Sequence, residues 1–358
     1  MTNPWFAADS KPMAHQPGER LGDEEAGHSS PAQLGLPEPP MSVLADLKPG
    51  ESGQGYALRM AQENGLLGLP EIKKWLGKSR FATLDRADAP LLHQWFGADP
   101  RQLEFALGDM AIGRGGQGLA YLGQPIGRDY FLNKSYPRVC LRCLDETGYC
   151  CLAWDFGLVL ACPLHRNLLT EQCDCCGKRL TWNRARLGDC VCGAPLNCFG
   201  EPSPAPSLAE SQVAAWVLQH IDNRRIDHGS GPECGLIAML KPLSLNGGFH
   251  IAFALGAAAH YVLPAVSGLG RTKSPLAKAQ MVLGAANQMA ERILNGDSIS
   301  LTVRRPTVVI NLLAEACQAE FSPADQSLGQ SVFFKLFGHT SKARWSGVHP
   351  AMSQIAMF

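Results

Sequence analysis

Apolar residues recur at helical spacing through most of the chain, in segments kept short by glycine and proline. In residues 54–64, Tyr56, Leu58, Met60 and Ala61 are apolar, and Gly65 follows where a helix needs a left-handed residue to stop. A second helix is expected over residues 70–76, with Pro70 suited to its first turn and Gly77 to its end. Two more fall at 91–96 and 100–107, separated by Gly97, Ala98 and Asp99; Asp99 can cap the second of them and Pro100 open it. Two short helices joined by a three-residue turn containing glycine outline a helix-turn-helix. An ordinary helical hairpin has the same outline, and the pattern alone favours it. The second helix has Arg101 as its one cation, which weakens a groove-reading role.

Elsewhere the pattern is absent or changes. Residues 1–40 are rich in Pro, Gly, Ser and acidic residues without apolar period, so they are expected to form a disordered tail. IGRGGQG at 112–118 matches G-x-G-x-x-G through Gly113, Gly115 and Gly118, but no strand precedes it and it reads as a flexible loop. EPSPAP at 201–206 reads as a stiff linker. Ser207 with Glu210 then forms a capping box for a helix through Val213, Trp216, Val217 and His220. Ser274 and Pro275 open a longer helix with Val282, Ala285, Met289 and Ile293 on one face, closed by Asn295 and Gly296. The apolar run 249–266 contains His250, His260 and Pro264 and is marginal in length for roughly 30 Å of hydrocarbon; a buried helix is expected.

The fold class that follows is mainly α. A tail (1–40) precedes an N-terminal helical domain with a helix-turn-helix (41–130), a tandem zinc-ribbon or zinc-finger module (131–200) and a C-terminal helical domain (201–358).

Composition bears on partners. With 32 basic against 32 acidic residues, the chain lacks the excess of cations that coats nucleic acid, so any such contact is a local patch or is shared with a partner. Eleven of 13 cysteines lie between Cys140 and Cys198. The N-terminus shows no basic region followed by an apolar run, and reduced thiols holding metal in the cytoplasm are expected.

The cysteine block reads CLRC (140–143), CPLH (162–165), CDCC (173–176) and CVC (190–192). Zinc takes four N or S ligands at tetrahedral corners, and each close pair supplies two corners from one tight turn. Cys140, Cys143, Cys162 and His165 make a first site, with an 18-residue gap between pairs. Cys173, Cys176, Cys190 and Cys192 make a second, for two Zn2+ ions per chain. The choice among Cys173, Cys175 and Cys176 rests on the two-residue spacing and on Gly177, which, like Gly193, follows a ligand and tolerates positive φ. Cys175, Cys150, Cys151 and Cys198 read as packed thiols. Four protein ligands leave no open position for water, and neither H-E-x-x-H nor H-x-E with P-C-x-x-C occurs, so the zinc is expected to be structural and the protein no enzyme. A nucleophilic Cys162 with His165 as base fails because both fit the metal spacing.

The cysteine and histidine pairs, with Trp154, Leu168 and Leu169, resemble the TniQ family of transposition proteins. Pro49-Gly50-Glu51-Ser52, Tyr56, Arg59, Ala61 and Asn64-Gly65 resemble that family's P-G-E-S…R-x-A…N-G opening. The resemblance covers roughly residues 41–200. Gly53 departs from it where an apolar residue is usual, and Arg166 where glycine is common. The resemblance implies an accessory factor of transposons that pair a DDE transposase with an AAA+ ATPase regulator, helping to choose the insertion site. In relatives captured by CRISPR systems such a protein docks as a dimer on the RNA-guided Cascade complex, and the related TnsD proteins read DNA.

The implied partners are therefore the AAA+ ATPase, target DNA, a Cascade complex and a second copy of the chain, with no membrane. The family also places a helix-turn-helix before its tandem zinc fingers, which strengthens that reading of residues 91–107. The chain has no P-loop lysine motif and no recognisable carboxylate triad, so ATP hydrolysis and strand transfer fall to other proteins. Cations that could meet DNA are Lys73, Lys74, Arg101, Lys134, Arg138, Arg142, Arg184 and Arg186; for each one the alternative is a solvated surface charge. The rival readings are a transcription regulator that binds DNA directly and a zinc enzyme with an open site.

Overall fold

A computed structural model describes residues 40–108, 119–197, 205–222, 231–262, 275–299, 301 and 307–338. The tail 1–39, the glycine loop 112–118, most of the 201–206 linker, Cys198, Ser274 and residues 263–266 lie outside the described residues.

Four helices open the fold: α1 (Gly53–Glu63), α2 (Leu69–Trp75), α3 (Ala89–Phe96) and α4 (Pro100–Leu107). Ser52 caps α1 by accepting a hydrogen bond from the Gly55 amide at 3.0 Å. Beside it Glu51 is fully buried and holds the Arg59 guanidinium through both carboxylate oxygens at 2.8 Å. The P-G-E-S opening is thus a buried ion-pair carboxylate followed by a helix cap. Gly53 is where α4 lands: a Cβ there would press into the Leu107 side chain, which fills the volume an apolar residue would have taken. Helices α3 and α4 pack as a hairpin. Gly97 is left-handed (φ 84°) and the Asp99 side chain accepts from the Gln102 amide at 2.9 Å. Trp75 of α2 meets Trp95 of α3 edge-on, with ring centroids 5.4 Å apart.

A two-stranded antiparallel hairpin follows, β1 (Leu119–Tyr121) and β2 (Gln124–Ile126), with Tyr121 opposite Gln124. Both turn residues have positive φ, Leu122 at 54° and Gly123 at 68°. This suits a two-residue hairpin turn, but Leu-Gly is not a sequence that announces one. The Tyr121 hydroxyl donates to Asp155 at 2.5 Å, and both side chains are buried. After α5 (Leu141–Thr147), residues 148–197 run as turns and isolated bridges.

The C-terminal part consists of α6 (Leu208–Asp222), α7 (Gly235–Leu240), α8 (Leu245–Val262), α9 (Pro275–Leu294), α10 (Thr307–Ala316) and α11 (Pro323–Phe337). Ser207 and Glu210 make the reciprocal hydrogen bonds of a capping box at the start of α6. Helix α8 is apolar on every side because it is central, with α7, α9, α10 and α11 packed around it. Gly248 admits the Trp216 indole of α6, and Gly256 admits the α9 backbone at Val282. No described helix is long and apolar enough to cross a membrane. Asp325, fully buried, serves two helix starts: it completes the Ser322 capping box of α11 and accepts from the amide and hydroxyl of Ser244, just before α8.

Long-range polar contacts join this part to the rest. Glu171 accepts from the Leu276 amide at the start of α9, at 2.9 and 3.1 Å. Arg128 pairs with Glu315 of α10, which also meets His250 Nε2 at 3.1 Å. The Gly127 amide donates to Asn246 Oδ1 at 2.8 Å. Rings of Phe131, Phe156, Phe249 and Phe253 meet across the same junction, with Phe131 and Phe253 stacked and the Phe249 contacts to Phe131 and Phe156 tilted.

Burial pushes the Asp155 carboxyl up to about 6, from 3.8 when exposed, against the opposing effect of the Tyr121 hydrogen bond. Because the folded value is raised, the fold resists ionisation. The resulting cost is fully present above pH 6 and is relieved as pH falls from 6 towards 4, where the folded carboxyl is neutral and the unfolded one ionised. Asp155→Asn keeps an acceptor for Tyr121 without the charge. It should be more stable than wild type by about 3 kcal/mol at neutral pH. Denaturant titrations from pH 8 to 4 should show that advantage shrinking across pH 6 to 4.

Candidate metal centres

Three of the four ligand pairs sit on the same local turn. In the first, the Cys162 amide donates to the Asn167 carbonyl and the Arg166 amide to the Cys162 carbonyl, so the chain reverses over CPLH and presents Cys162 and His165 together. The reversal needs a left-handed residue after the second ligand, and Arg166 supplies it at φ 52°. Glycine would adopt that conformation without strain; here an arginine bears it, at a cost on the order of 1 kcal/mol. The CDCC and CVC turns repeat the device with Gly177 at φ 66° and Gly193 at φ 85°. The fourth pair is helical: Cys140 is the N-cap residue of α5 and Cys143 lies in its first turn.

The turns bring the ligands into two groups. Cys140, Cys143, Cys162 and His165 form one, and Cys173, Cys176, Cys190 and Cys192 the other; within each, the ligand atoms all lie within 4.8 Å of one another. Cys175 is exposed and belongs to neither group. Sulfurs at two corners of a zinc tetrahedron stand about 3.8 Å apart, and sulfur and nitrogen about 3.5 Å apart, given usual Zn–S and Zn–N lengths. The observed separations are 3.5 Å for Cys143–Cys162, 3.8 Å for Cys173–Cys192 and 3.7 Å for Cys176–Cys190. From His165 Nδ1 the distances to Cys140, Cys143 and Cys162 are 3.4, 3.1 and 3.6 Å. The donor sets and their spacing fit one divalent ion in each group.

The first group has an outer partner that spacing alone does not reveal. His165 turns Nδ1 inward and Nε2 outward, where Glu146 Oε2 receives it at 2.7 Å. Glu146 stands one helical turn after Cys143 on α5, so helical periodicity places it over the imidazole. Contact with the imidazole holds the Glu146 carboxyl below the usual carboxylate range. A carboxylate there fixes the tautomer that leaves Nδ1 free to bind metal.

The eight cations expected to meet DNA divide by burial. Lys73 is buried, and its ammonium donates to the Arg80 carbonyl and Asn183 Oδ1, both at 3.1 Å; burial lowers it to about 8. Arg138 is buried, donates to the carbonyls of Gly157 and Val159, and is lowered to about 10 by the same cause. Arg184 is buried beside the second group. These three serve the interior and do not reach a phosphate at the surface. Lys134 is half-buried, its ammonium on the Leu107 carbonyl and over the Tyr121 ring. Lys74, Arg101, Arg142 and Arg186 are exposed, and Arg142 pairs with Glu146 at 3.3 Å.

Fold and site together define a mainly helical protein built around two four-ligand clusters consistent with zinc-binding modules. Residues 43–169 match the model of the TniQ family, a family involved in transposition. The match takes in α1–α5 and the first cluster and ends before Cys173. No curated protein matches the chain.

Replacing Glu146 by alanine should weaken metal at the first centre roughly tenfold or more while leaving the second unchanged. Competition with a chromophoric chelator measures both.

Proposed function

We propose that the chain is a non-catalytic zinc-binding adaptor in DNA transposition, which helps select the target site by linking a target-recognising element to the transposon's AAA+ ATPase regulator. The observation that carries the reading is a pair of four-ligand clusters, one inside the TniQ domain and one just after it. Each would hold one Zn2+ with protein ligands at every corner, which suits a structural ion and leaves no position for an activated water. Accessory, generally non-catalytic roles in the family support the same reading.

The target-recognising element is DNA or an RNA-guided complex. Lys74, Arg101, Arg142 and Arg186 are the proposed nucleic-acid contacts, since they reach the surface. Four cations on a chain of zero net charge supply modest affinity that falls steeply with salt, so the partner protein provides most of the holding. The α3–α4 hairpin is the proposed helix-turn-helix, with Arg101 on its second helix.

The test is a pull-down of the AAA+ regulator of the same element on the immobilised full-length chain, with and without a metal chelator. Retention that disappears on chelation is the expected result. A regulator that fails to bind in either condition, with or without DNA, would overturn the adaptor reading and leave direct DNA binding by a transcription regulator as the better account.

A further inference from the structure

Charge on this chain sums to zero, but it is not evenly spread. Residues 72–84, 133–138 and 178–187 carry four, two and four Lys or Arg, and no Asp or Glu. These segments are far apart in sequence and meet in the fold. Asn183 accepts from the Lys73 ammonium and donates to the Arg80 carbonyl at 2.8 Å, and the Trp182 indole donates to the Lys134 carbonyl at 2.8 Å. Overall neutrality therefore hides a local excess of positive charge, and such an excess gathers anions.

Alternation sets the outer side of this junction. Leu180, Trp182 and Arg184 are buried, while Arg179, Thr181 and Asn183 are half-buried, so the latter three line one side of the segment. At one end the Arg179 guanidinium lies over the Tyr136 ring, 3.8 Å from its centroid. At the other, Asn183 holds the Arg80 carbonyl, and the Arg80 guanidinium lies 5.3 Å from the Phe81 centroid. Backbone between Arg179 and Asn183 spans at most about 14 Å. Tyr136 is 40% exposed and Phe81 81%. Lys74, Arg80, Lys178 and Arg186 are exposed, and none of them pairs with a carboxylate among the described residues.

One exposed ring is ordinary on a protein surface. Two rings, each beside a guanidinium and bordered by further unpaired cations, can take bases on their faces and phosphates on the charges. We propose that this junction binds single-stranded nucleic acid, with bases stacked on Tyr136 and Phe81 and phosphates met by Lys74, Arg80, Lys178 and Arg186. The inference deepens the adaptor reading by specifying a single strand, and rests on it for nucleic acid as the partner. Duplex DNA keeps its bases stacked inside and would use the cations alone. An acidic protein or an anionic membrane would also use the cations, but neither calls for a ring paired with a guanidinium at each end of the strip.

The experiment measures fluorescence anisotropy of a labelled single-stranded oligonucleotide of mixed sequence, and of its duplex, with the full-length chain purified with zinc. Wild type should bind the single strand more tightly than the duplex. Phe81→Leu and Tyr136→Leu keep apolar bulk and all charges; each should weaken single-strand binding about fivefold or more and leave the salt slope unchanged, and Phe81→Trp should restore it. Arg80→Gln and Lys178→Gln should each lower that slope by about 0.7. Equal affinity of wild type and the double ring variant, duplex bound as tightly as single strand, or binding to phosphatidylserine vesicles alone would overturn the proposal. Cross-linking of wild-type protein to an oligonucleotide carrying 5-bromouracil decides the matter even if a variant does not fold. Attachment at Tyr136 or Phe81 is expected, and attachment confined to α3 and α4 contradicts the proposal. Capture of the AAA+ regulator by the double ring variant separates the two readings. Regulator retained by wild type while the single strand is not bound removes this inference alone, whereas single-strand binding without regulator removes the adaptor and leaves the stacking site.

Discussion

Four donors converge within 4.8 Å, twice over, in a stretch of chain that has little regular hydrogen bonding of its own. From Cys140 to Leu196 the described backbone offers one short helix, a 3-10 turn and bridges of a single residue pair, such as Ala161 with Leu168 and Gln172 with Arg179. Such a segment cannot meet its own conformational entropy through secondary structure. A structural zinc ion at each cluster would contribute on the order of 10 kcal/mol to folding, enough to hold the turns where ladders and helices are missing. The helices on either side depend on this segment. Cys150 and Cys151 pair with the P-G-E-S opening ahead of α1, and Glu171 meets the first turn of α9.

What the sequence reveals follows the range of the interaction. Helices α1, α2, α3 and α4 could be placed within a residue or two because proline, aspartate and glycine mark their ends locally. The ligand groups could be read because each pair is made by one turn, and the left-handed Gly177 and Gly193 follow from it. The unusual residues become intelligible only in the fold: Gly53 yields its space to Leu107, and Arg166 takes a backbone conformation that glycine would adopt without strain. The β1–β2 hairpin was not legible, since Leu122-Gly123 lacks the asparagine or aspartate that usually marks such a turn. Nor were the bonds of Glu171 to the start of α9 or of Asp325 to Ser244 ahead of α8, because each reaches a helix start far away in sequence.

The same limit applies to the cations. Sequence treats Lys73 and Lys74 alike, yet consecutive helical residues face different ways, and Lys73 goes to the interior while Lys74 stays in water. Arg138 and Arg184 fill interior positions that no local pattern predicts. Of the eight cations named as candidate DNA contacts, Lys74, Arg101, Arg142 and Arg186 remain exposed. The C-terminal helices lie beyond the family match, but Arg128–Glu315–His250 and the ring contacts among Phe131, Phe249 and Phe253 bind them to the segment that precedes the clusters.

Metal at both clusters is proposed to organise the middle of the chain. Native mass spectrometry of the full-length protein purified with zinc, before and after treatment with a chelator, tests it most directly. Two zinc ions per chain are expected, with a shift to the high charge states of an expanded chain once both are removed. One zinc or none in the folded protein, or a compact charge-state distribution that survives the loss of both ions, would contradict it.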